Sequence, residues 1–153
     1  MTVSQTLADL QITLPDVVPP VAAYVPAKVH GDLVYTAGQL PMVGGALPAT
    51  GKVGGAVSAD DAKAYARQSA LNAIAAAAAA VGGVNRLTGV VKVVGFVAST
   101  PDFTGQPGVI NGASELLGQV FGDAGRHARS AVAAPVLPLD SPVEVEVVFS
   151  FAS

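Results

Sequence analysis

Arg129 is the side chain in this sequence best suited to hold an anionic group. It follows the polar turn GDAGRH and stands near the start of an apolar segment. A guanidinium fixed at the start of a strand can grip a carboxylate through two parallel hydrogen bonds. An ordinary structural salt bridge, with Glu144 or Asp123 as the partner, would account for the same spacing. The residues alone leave both interpretations open.

A pair of carboxylates, Glu144 and Glu146, lies near the C-terminus. Residues two apart on a strand point to the same face of the sheet, so these two side chains are neighbours. Paired carboxylates can exchange protons with a substrate when they are buried. On an edge strand, the same pair is more often a solvated surface.

Metal and thiol chemistry have little support in the sequence. The two histidines, His30 and His127, have no second histidine or carboxylate at metal-ligand spacing. Cysteine is absent, which excludes disulfides, thiol nucleophiles and thiolate metal sites. We therefore expect no metal and no cofactor. His127 precedes Ala128 and Arg129, where it can help to shape the turn.

The glycine-rich segment 42–57 does not match a phosphate-binding loop. Five residues separate Gly45 from Gly51 where the motif needs four, and Val53 stands where a magnesium-binding Ser or Thr is required. We expect this segment to be an irregular connection between secondary-structure elements.

Hydrophobic periodicity and turn residues predict an alternation of strands and helices. The expected elements are a short helix over 3–11, an extended segment over 12–22, a strand over 32–40, a helix from Ser58 to Val81, a strand over 89–98, a helix over 109–121, and strands over 129–135 and 143–151. We expect the strand over 89–98 to be buried on both faces for most of its length. The order predicts an α+β domain with two helices on one face of the sheet. The other face then has to meet a second layer, and another copy of the chain is its simplest source.

Composition agrees with one self-contained domain. The 153 residues are 51% hydrophobic and only 12% charged. Either a partner subunit covers part of the surface, or alanine, valine and glycine simply inflate the apolar count. The net charge of −3 and the scattered basic residues disfavour nucleic acid as a partner. No signal peptide or membrane span is expected, and a cytoplasmic location fits the lack of cysteine.

Three segments carry a resemblance to a known family: LVYTAGQLP (33–41), GVVKVVGFVASTPDF (89–103) and HARSAVAAPVLPLDSPVEVEVVF (127–149). They resemble the RidA (YjgF) family of reactive intermediate deaminases. The first is similar to its strand-Gly-Gln-Leu-Pro signature, and the second is similar to its central strand. The third resembles its C-terminal signature. The resemblance implies a chorismate-mutase-like mixed sheet with two helices on one face. It also implies a homotrimer with ligand sites in the clefts between subunits. The whole chain, 1–153, is then one domain, with 1–22 as an N-terminal extension that carries a short helix.

The resemblance also implies a site. The catalytic arginine of the family falls on Arg129, its strand glutamate on Glu144, its tyrosine on Tyr24, its helix asparagine on Asn111 and its signature glycine on Gly38. Family members with this arginine hydrolyse enamines and imines, such as 2-aminoacrylate, to 2-keto acids and ammonia. The arginine holds the substrate carboxylate while water attacks the imine carbon. Glu144 could orient that water.

The sequence departs from the family pattern in three places. Ala131 stands where a cysteine is frequent, His127 replaces a proline, and the chain is longer at its N-terminus and in the 42–57 loop. With Ala131 in the pocket, a non-catalytic binding protein for a small carboxylate-bearing metabolite is an alternative to the deaminase. A third possibility is an endoribonuclease, a label that some relatives carry, although the acidic balance disfavours it.

Overall fold

The computed structural model describes residues 1–20 and 22–153. Val21, which falls in the predicted extended segment, lies outside the described residues. The eight main elements are, in chain order, α1 (Val3–Asp9), β1 (Ala27–His30), β2 (Leu33–Thr36), α2 (Ala59–Val81), β3 (Leu87–Ala98), α3 (Gln106–Phe121), β4 (Ala128–Ala134) and β5 (Val143–Phe151).

Helix α2 begins and ends where the sequence predicts. The Ser58 hydroxyl accepts a hydrogen bond from the backbone N–H of Asp61 at 3.1 Å, which caps the first turn. The helix ends at Gly82, which adopts the left-handed conformation with φ of 86°. Its small alanine side chains let α3 approach closely, and a Cβ at Gly112 would overlap the Lys63 backbone. Among the described residues, no helix is both long and apolar enough to cross a membrane.

The five strands form one mixed sheet in the order β1-β2-β5-β3-β4. Strands β3 and β4 are parallel, and every other neighbouring pair is antiparallel. β1 and β4 are therefore the two edges of the sheet. Helices α2 and α3 cover one face, as predicted for the α+β class.

The two faces of the sheet differ in burial. Residues 143, 145, 147 and 149 of β5 are buried under the helices, whereas the residues between them point to the uncovered face. Tyr35 and Val132 on this uncovered face are 43% and 46% exposed. Strand β3 alternates in the same way. Its predicted burial on both faces is therefore wrong for a single chain, because no second layer covers the outer side.

The first strand region was predicted incompletely. A single strand over 32–40 was expected, but the structure forms a β1–β2 hairpin, turning between His30 and Leu33. Beyond Thr36 the chain leaves the sheet ladder, and only Gln39 returns to pair with Val145. This early departure creates room for the cavity described below.

Candidate functional site

Arg129 lies near the beginning of the edge strand β4, and its side chain points to the helix-covered side. One guanidinium nitrogen (Nη1) donates to Asn111 Oδ1 at 2.8 Å and to Ser114 Oγ at 3.2 Å. The other (Nη2) donates to the Pro107 carbonyl at 3.4 Å. All three acceptors are neutral. Within the described part of the chain, no carboxylate is within ion-pair distance of Arg129, so the expected alternative of a salt bridge with Glu144 or Asp123 is wrong for this chain.

His127 contacts Ser114 and so supports the hydrogen bonds around Arg129. Its Nδ1 lies 2.7 Å from the Gly125 carbonyl oxygen, which can only accept, so in a neutral imidazole Nδ1 carries the proton. Nε2 is then the acceptor for the Ser114 hydroxyl at 2.9 Å. With its proton directed to His127, Ser114 turns its lone pairs to Arg129. A chain of hydrogen bonds therefore orients the guanidinium.

Glu144 lies on the uncovered face at the start of β5, next to Gly38. A Cβ at position 38 would overlap the Glu144 carboxyl group, so the absence of a side chain at Gly38 lets this carboxyl group lie where it does. Burial raises the pKa of Glu144 above its usual range, and the negative charge of Glu146 raises it further. A carboxyl group whose pKa is raised binds its proton more tightly, so it is better suited to donate a proton as well as to accept one.

A cavity of about 440 Å³ opens beside Glu144. Of the described residues, Glu144 is the only carboxylate that lines this cavity, and most of the remaining wall is apolar. The lining residues are Val18, Pro19, Tyr24, Pro26, Ala37, Gly38, Gln39, Leu40, Met42, Pro138, Leu139 and Glu144. The N-terminal extension and the beginning of the long 42–57 loop both contribute to this wall.

The rim of the cavity has an unusual backbone. Leu139 and Asp140 both have φ of 58°, a left-handed conformation that non-glycine residues rarely adopt. The Lys52 Nζ contacts the Asp140 carboxylate at 2.8 Å, and the Gly51 N–H donates to the Asp140 carbonyl at 3.0 Å. The 42–57 loop therefore fastens this turn. Leu139 is left 64% exposed at the mouth of the cavity.

The expected site residues fall into two separate groups. Asn111 lies with Arg129, and Ala131 follows on the same side of β4. Tyr24 and Gly38 lie with Glu144. Arg129 is level with Val93 and Glu144 is level with Phe96, which places them on opposite faces of the sheet. Strand spacing puts their Cα atoms about 14 Å apart. One chain alone cannot bring both side chains to the same small substrate.

Sequence reasoning missed Ser114 and Leu139. Ser114 had a usable signal, because it lies three residues after Asn111 on a helix and so shares its face. Leu139 had none, since no glycine marks this left-handed position, and the contacts of the distant 42–57 loop are with the neighbouring Asp140.

Comparison with known proteins gives consistent matches. Residues 4–153 match the family model described as "YjgF/chorismate mutase-like, putative endoribonuclease". "Protein TCP17" of Trypanosoma cruzi is 41% identical over 147 residues, covering 94% of this chain and 91% of the relative. The solved structure of Atu1372 from Agrobacterium tumefaciens, of unknown function, is similar with a TM-score of 0.90 at 40% identity, covering 98% of this chain and 92% of that one. A structure from Shewanella oneidensis, described as a "putative endoribonuclease", has a TM-score of 0.94 at 30% identity and covers 99% and 100% of the two chains.

Proposed function

This chain belongs to the YjgF/chorismate mutase-like family, and on that premise we propose that it is a hydrolytic deaminase. Its substrates would be reactive enamines and imines, such as 2-aminoacrylate, and its products 2-keto acids and ammonia. The observation that carries the proposal is the Arg129 guanidinium, which is oriented by three neutral oxygens and has no carboxylate partner in the described chain. Such a group is ready to hold the carboxylate of a substrate.

The chemistry needs few catalytic groups. An imine carbon is already electrophilic, so the main task is to orient the substrate and a water molecule. Glu144 would take one proton from water as its oxygen bonds to the imine carbon, and would pass that proton to the nitrogen, which forms a neutral tetrahedral carbinolamine. It would then carry the hydroxyl proton of the carbinolamine to the nitrogen as the C–N bond breaks, so that ammonia leaves and the hydroxyl becomes the carbonyl of the keto acid. The raised pKa of Glu144 supports both directions of transfer.

A homotrimer would complete the site. Arg129 lies on one edge strand, whereas the Glu144 cavity opens on the far side of the sheet. A cleft between subunits could bring Arg129 to Glu144 of the partner subunit. The uncovered apolar side chains of Tyr35 and Val132 support association, because exposed apolar surface favours burial. We also propose a cytoplasmic location, with which the absence of cysteine is consistent.

A binding protein for a carboxylate metabolite is the second candidate. Ala131 stands two residues after Arg129, where the family frequently has cysteine. In this case a ligand bound in the same cleft would stabilise the fold, but no substrate would be turned over and no ammonia released. Ribonuclease activity has less support despite the names of some relatives, because the net charge is −3 and RNA binding normally requires a basic surface.

The decisive experiment measures ammonia and keto-acid release from imines generated in situ, with wild type and Arg129→Ala in parallel. Acceleration by the wild type alone is the expected result. Equal rates with both proteins would refute the deaminase, and thermal stabilisation by carboxylate ligands would then test the binding protein. Light scattering should give the mass of a trimer. A monomer would contradict the inter-subunit site.

A further inference from the structure

Ser114 and His127 form a pair whose reactive atoms the proposed deaminase does not use. The Ser114 Oγ lies 2.9 Å from His127 Nε2, and His127 Nδ1 lies 2.7 Å from the Gly125 carbonyl oxygen. We infer that the two side chains act as a nucleophile and its base, and that they hydrolyse esters of small carboxylic acids. This activity is additional to the proposed deaminase and does not rest on it.

The contacts give each side chain the role that nucleophilic catalysis requires. A serine hydroxyl is a weak nucleophile unless a neighbouring base takes its proton, and that base must lie within about 2.6–3.2 Å. His127 Nε2 meets this distance from Ser114 and, in the neutral ring, is the nitrogen without a proton. The Gly125 carbonyl accepts from Nδ1 and so fixes the tautomer and the ring orientation, as the third group of a catalytic triad does.

Arg129 supplies positive charge beside the reacting oxygen. Its Nη1 donates to Ser114 Oγ at 3.2 Å, so the guanidinium lies next to the place where an oxyanion would form on a bound ester. A guanidinium has five N–H donors, and within residues 1–20 and 22–153 only three of them are engaged, by Asn111, Ser114 and Pro107. Two donors therefore remain for the oxyanion, whose stabilisation is usually the largest single contribution to acyl transfer.

A surface cavity of about 390 Å³ gives a substrate access to the pair. Its lining residues are Ser114, Gly118, Gly125, Arg126, His127 and Arg129, none of which lines the cavity beside Glu144. The volume lies in the range of about 300–1,000 Å³ found for small-molecule sites. Gly118 follows Ser114 by one turn of α3, and a Cβ there would meet nothing within 4 Å. The next turn of the helix therefore leaves the space over the hydroxyl open.

The reaction needs water as its only co-reactant. His127 takes the Ser114 proton as Oγ bonds to the carbonyl carbon of the ester, and Arg129 stabilises the oxyanion that results. The oxyanion collapses, the bond from carbon to the alcohol oxygen breaks, and His127 gives its proton to the departing alcohol. Water then attacks the acylated Ser114. His127 takes one proton from that water and passes it to Oγ as the acyl bond breaks, which releases the carboxylic acid and restores the serine.

The test measures release of p-nitrophenolate from p-nitrophenyl acetate by the full chain. We expect the wild type to exceed buffer, and Ser114→Ala and His127→Gln each to lower the rate by about 100-fold or more, since each removes a group that takes part in proton transfer. Glutamine can still accept a hydrogen bond from Ser114 but cannot carry its proton, so a purely structural role of His127 would survive this change. Ser130→Ala and His30→Ala, at exposed positions outside the cavity, are the matched controls and should keep the wild-type rate.

Covalent labelling identifies the reacting atom even if a variant fails to fold. Diisopropyl fluorophosphate should modify the wild type at Ser114, where Oγ displaces fluoride from phosphorus, and peptide mass spectrometry should locate the adduct there. An unlabelled Ser114, or a Ser114→Ala or His127→Gln rate equal to that of the wild type, would overturn the inference. None of these measurements uses an imine, so the failure of this activity and the failure of the deaminase are separate results.

Discussion

The surroundings of Arg129 and of Glu144 have opposite effects on the charge of an ionisable side chain. Arg129 is surrounded by neutral oxygens from α3, at 2.8 to 3.4 Å, which orient its charge without neutralising it. Glu144 is placed against Gly38 and an apolar wall, where burial raises its pKa. The first region holds a charge ready for an anion. In the second region, burial disfavours the charged form of the Glu144 carboxyl group, so this group can gain and lose a proton.

One sheet can keep the proposed anion-binding group apart from the proposed proton-transfer group. Alternate residues along a strand face opposite sides, so Arg129 can be oriented by the helices while Glu144 stays on the uncovered face. Within one chain the two side chains therefore lie on opposite faces. An assembly of several subunits can bring Arg129 of one chain to Glu144 of another. Because the two side chains are separate within a chain, each can be mutated without disturbing the other.

Removing the proton-transfer group should have the largest effect on turnover. We expect Glu144→Gln to lower kcat by about 100-fold or more, the usual contribution of a general acid–base group. Substrate binding should change far less, because Arg129 is untouched. Single-turnover and steady-state kinetics on the best imine would measure both effects. A kcat close to that of the wild type would show that Glu144 does not transfer the proton.

The same substitution should raise stability at neutral pH. A carboxyl group whose pKa is raised on folding holds its proton more tightly in the folded chain, so its ionisation above the ordinary value of 4.5 costs stability. Glu144→Gln removes that cost. Its melting temperature should exceed that of the wild type at pH 7, and the gap should close as the pH falls towards 4.5. A Glu144→Gln variant less stable than the wild type at pH 7 would contradict the predicted direction of this effect.

Removing the anion grip should mainly weaken binding. We expect Arg129→Ala to reduce the affinity for a keto acid by about 2–4 kcal/mol, as loss of a bidentate charged contact does. Calorimetry would measure it. Arg67→Ala is a matched control, because Arg67 also donates to a neutral amide oxygen, that of Gln119, but lies away from both groups. Equal losses in both variants would point to a general electrostatic effect instead of a grip.

Gly38→Ala should displace the Glu144 carboxyl group without removing it. The added Cβ overlaps the end of this flexible side chain, which can move aside, so we expect little change in stability but a loss of about 10-fold or more in kcat. Gly108→Ala is the control, since a Cβ there meets nothing within 4 Å and alanine favours a helix. A fully active Gly38→Ala would mean that the position of the carboxyl group is unimportant.

The sequence predicted elements where local signals and burial agree. Helix α2 has a serine cap and a terminal glycine, and β5 alternates without interruption, so both were placed correctly. Strand β1 was missed because AKVH is short and largely exposed, and only its pairing with β2 makes it a strand. Local patterns carry no information about such pairing.

The site was predictable only in part for a similar reason. The type and spacing of Arg129 and Glu144 identified both as candidates, and a resemblance to known proteins added Asn111 and Gly38. The rim at Leu139 depends on contacts with Lys52, which is 88 residues from the Asp140 that it holds. The separation of the two groups followed from strand register, which no single segment specifies.

The smallest predicted effect tests the support behind the guanidinium. Ser114→Ala removes one of three acceptors from Arg129, and we expect a loss of about 1 kcal/mol in keto-acid affinity. His127→Ala leaves Arg129 its direct partners but frees the Ser114 hydroxyl to rotate, so its effect should be smaller. The double variant should lose no more than Ser114→Ala alone, because the histidine acts only through the serine. Additive losses would show that His127 contributes to the site by another route.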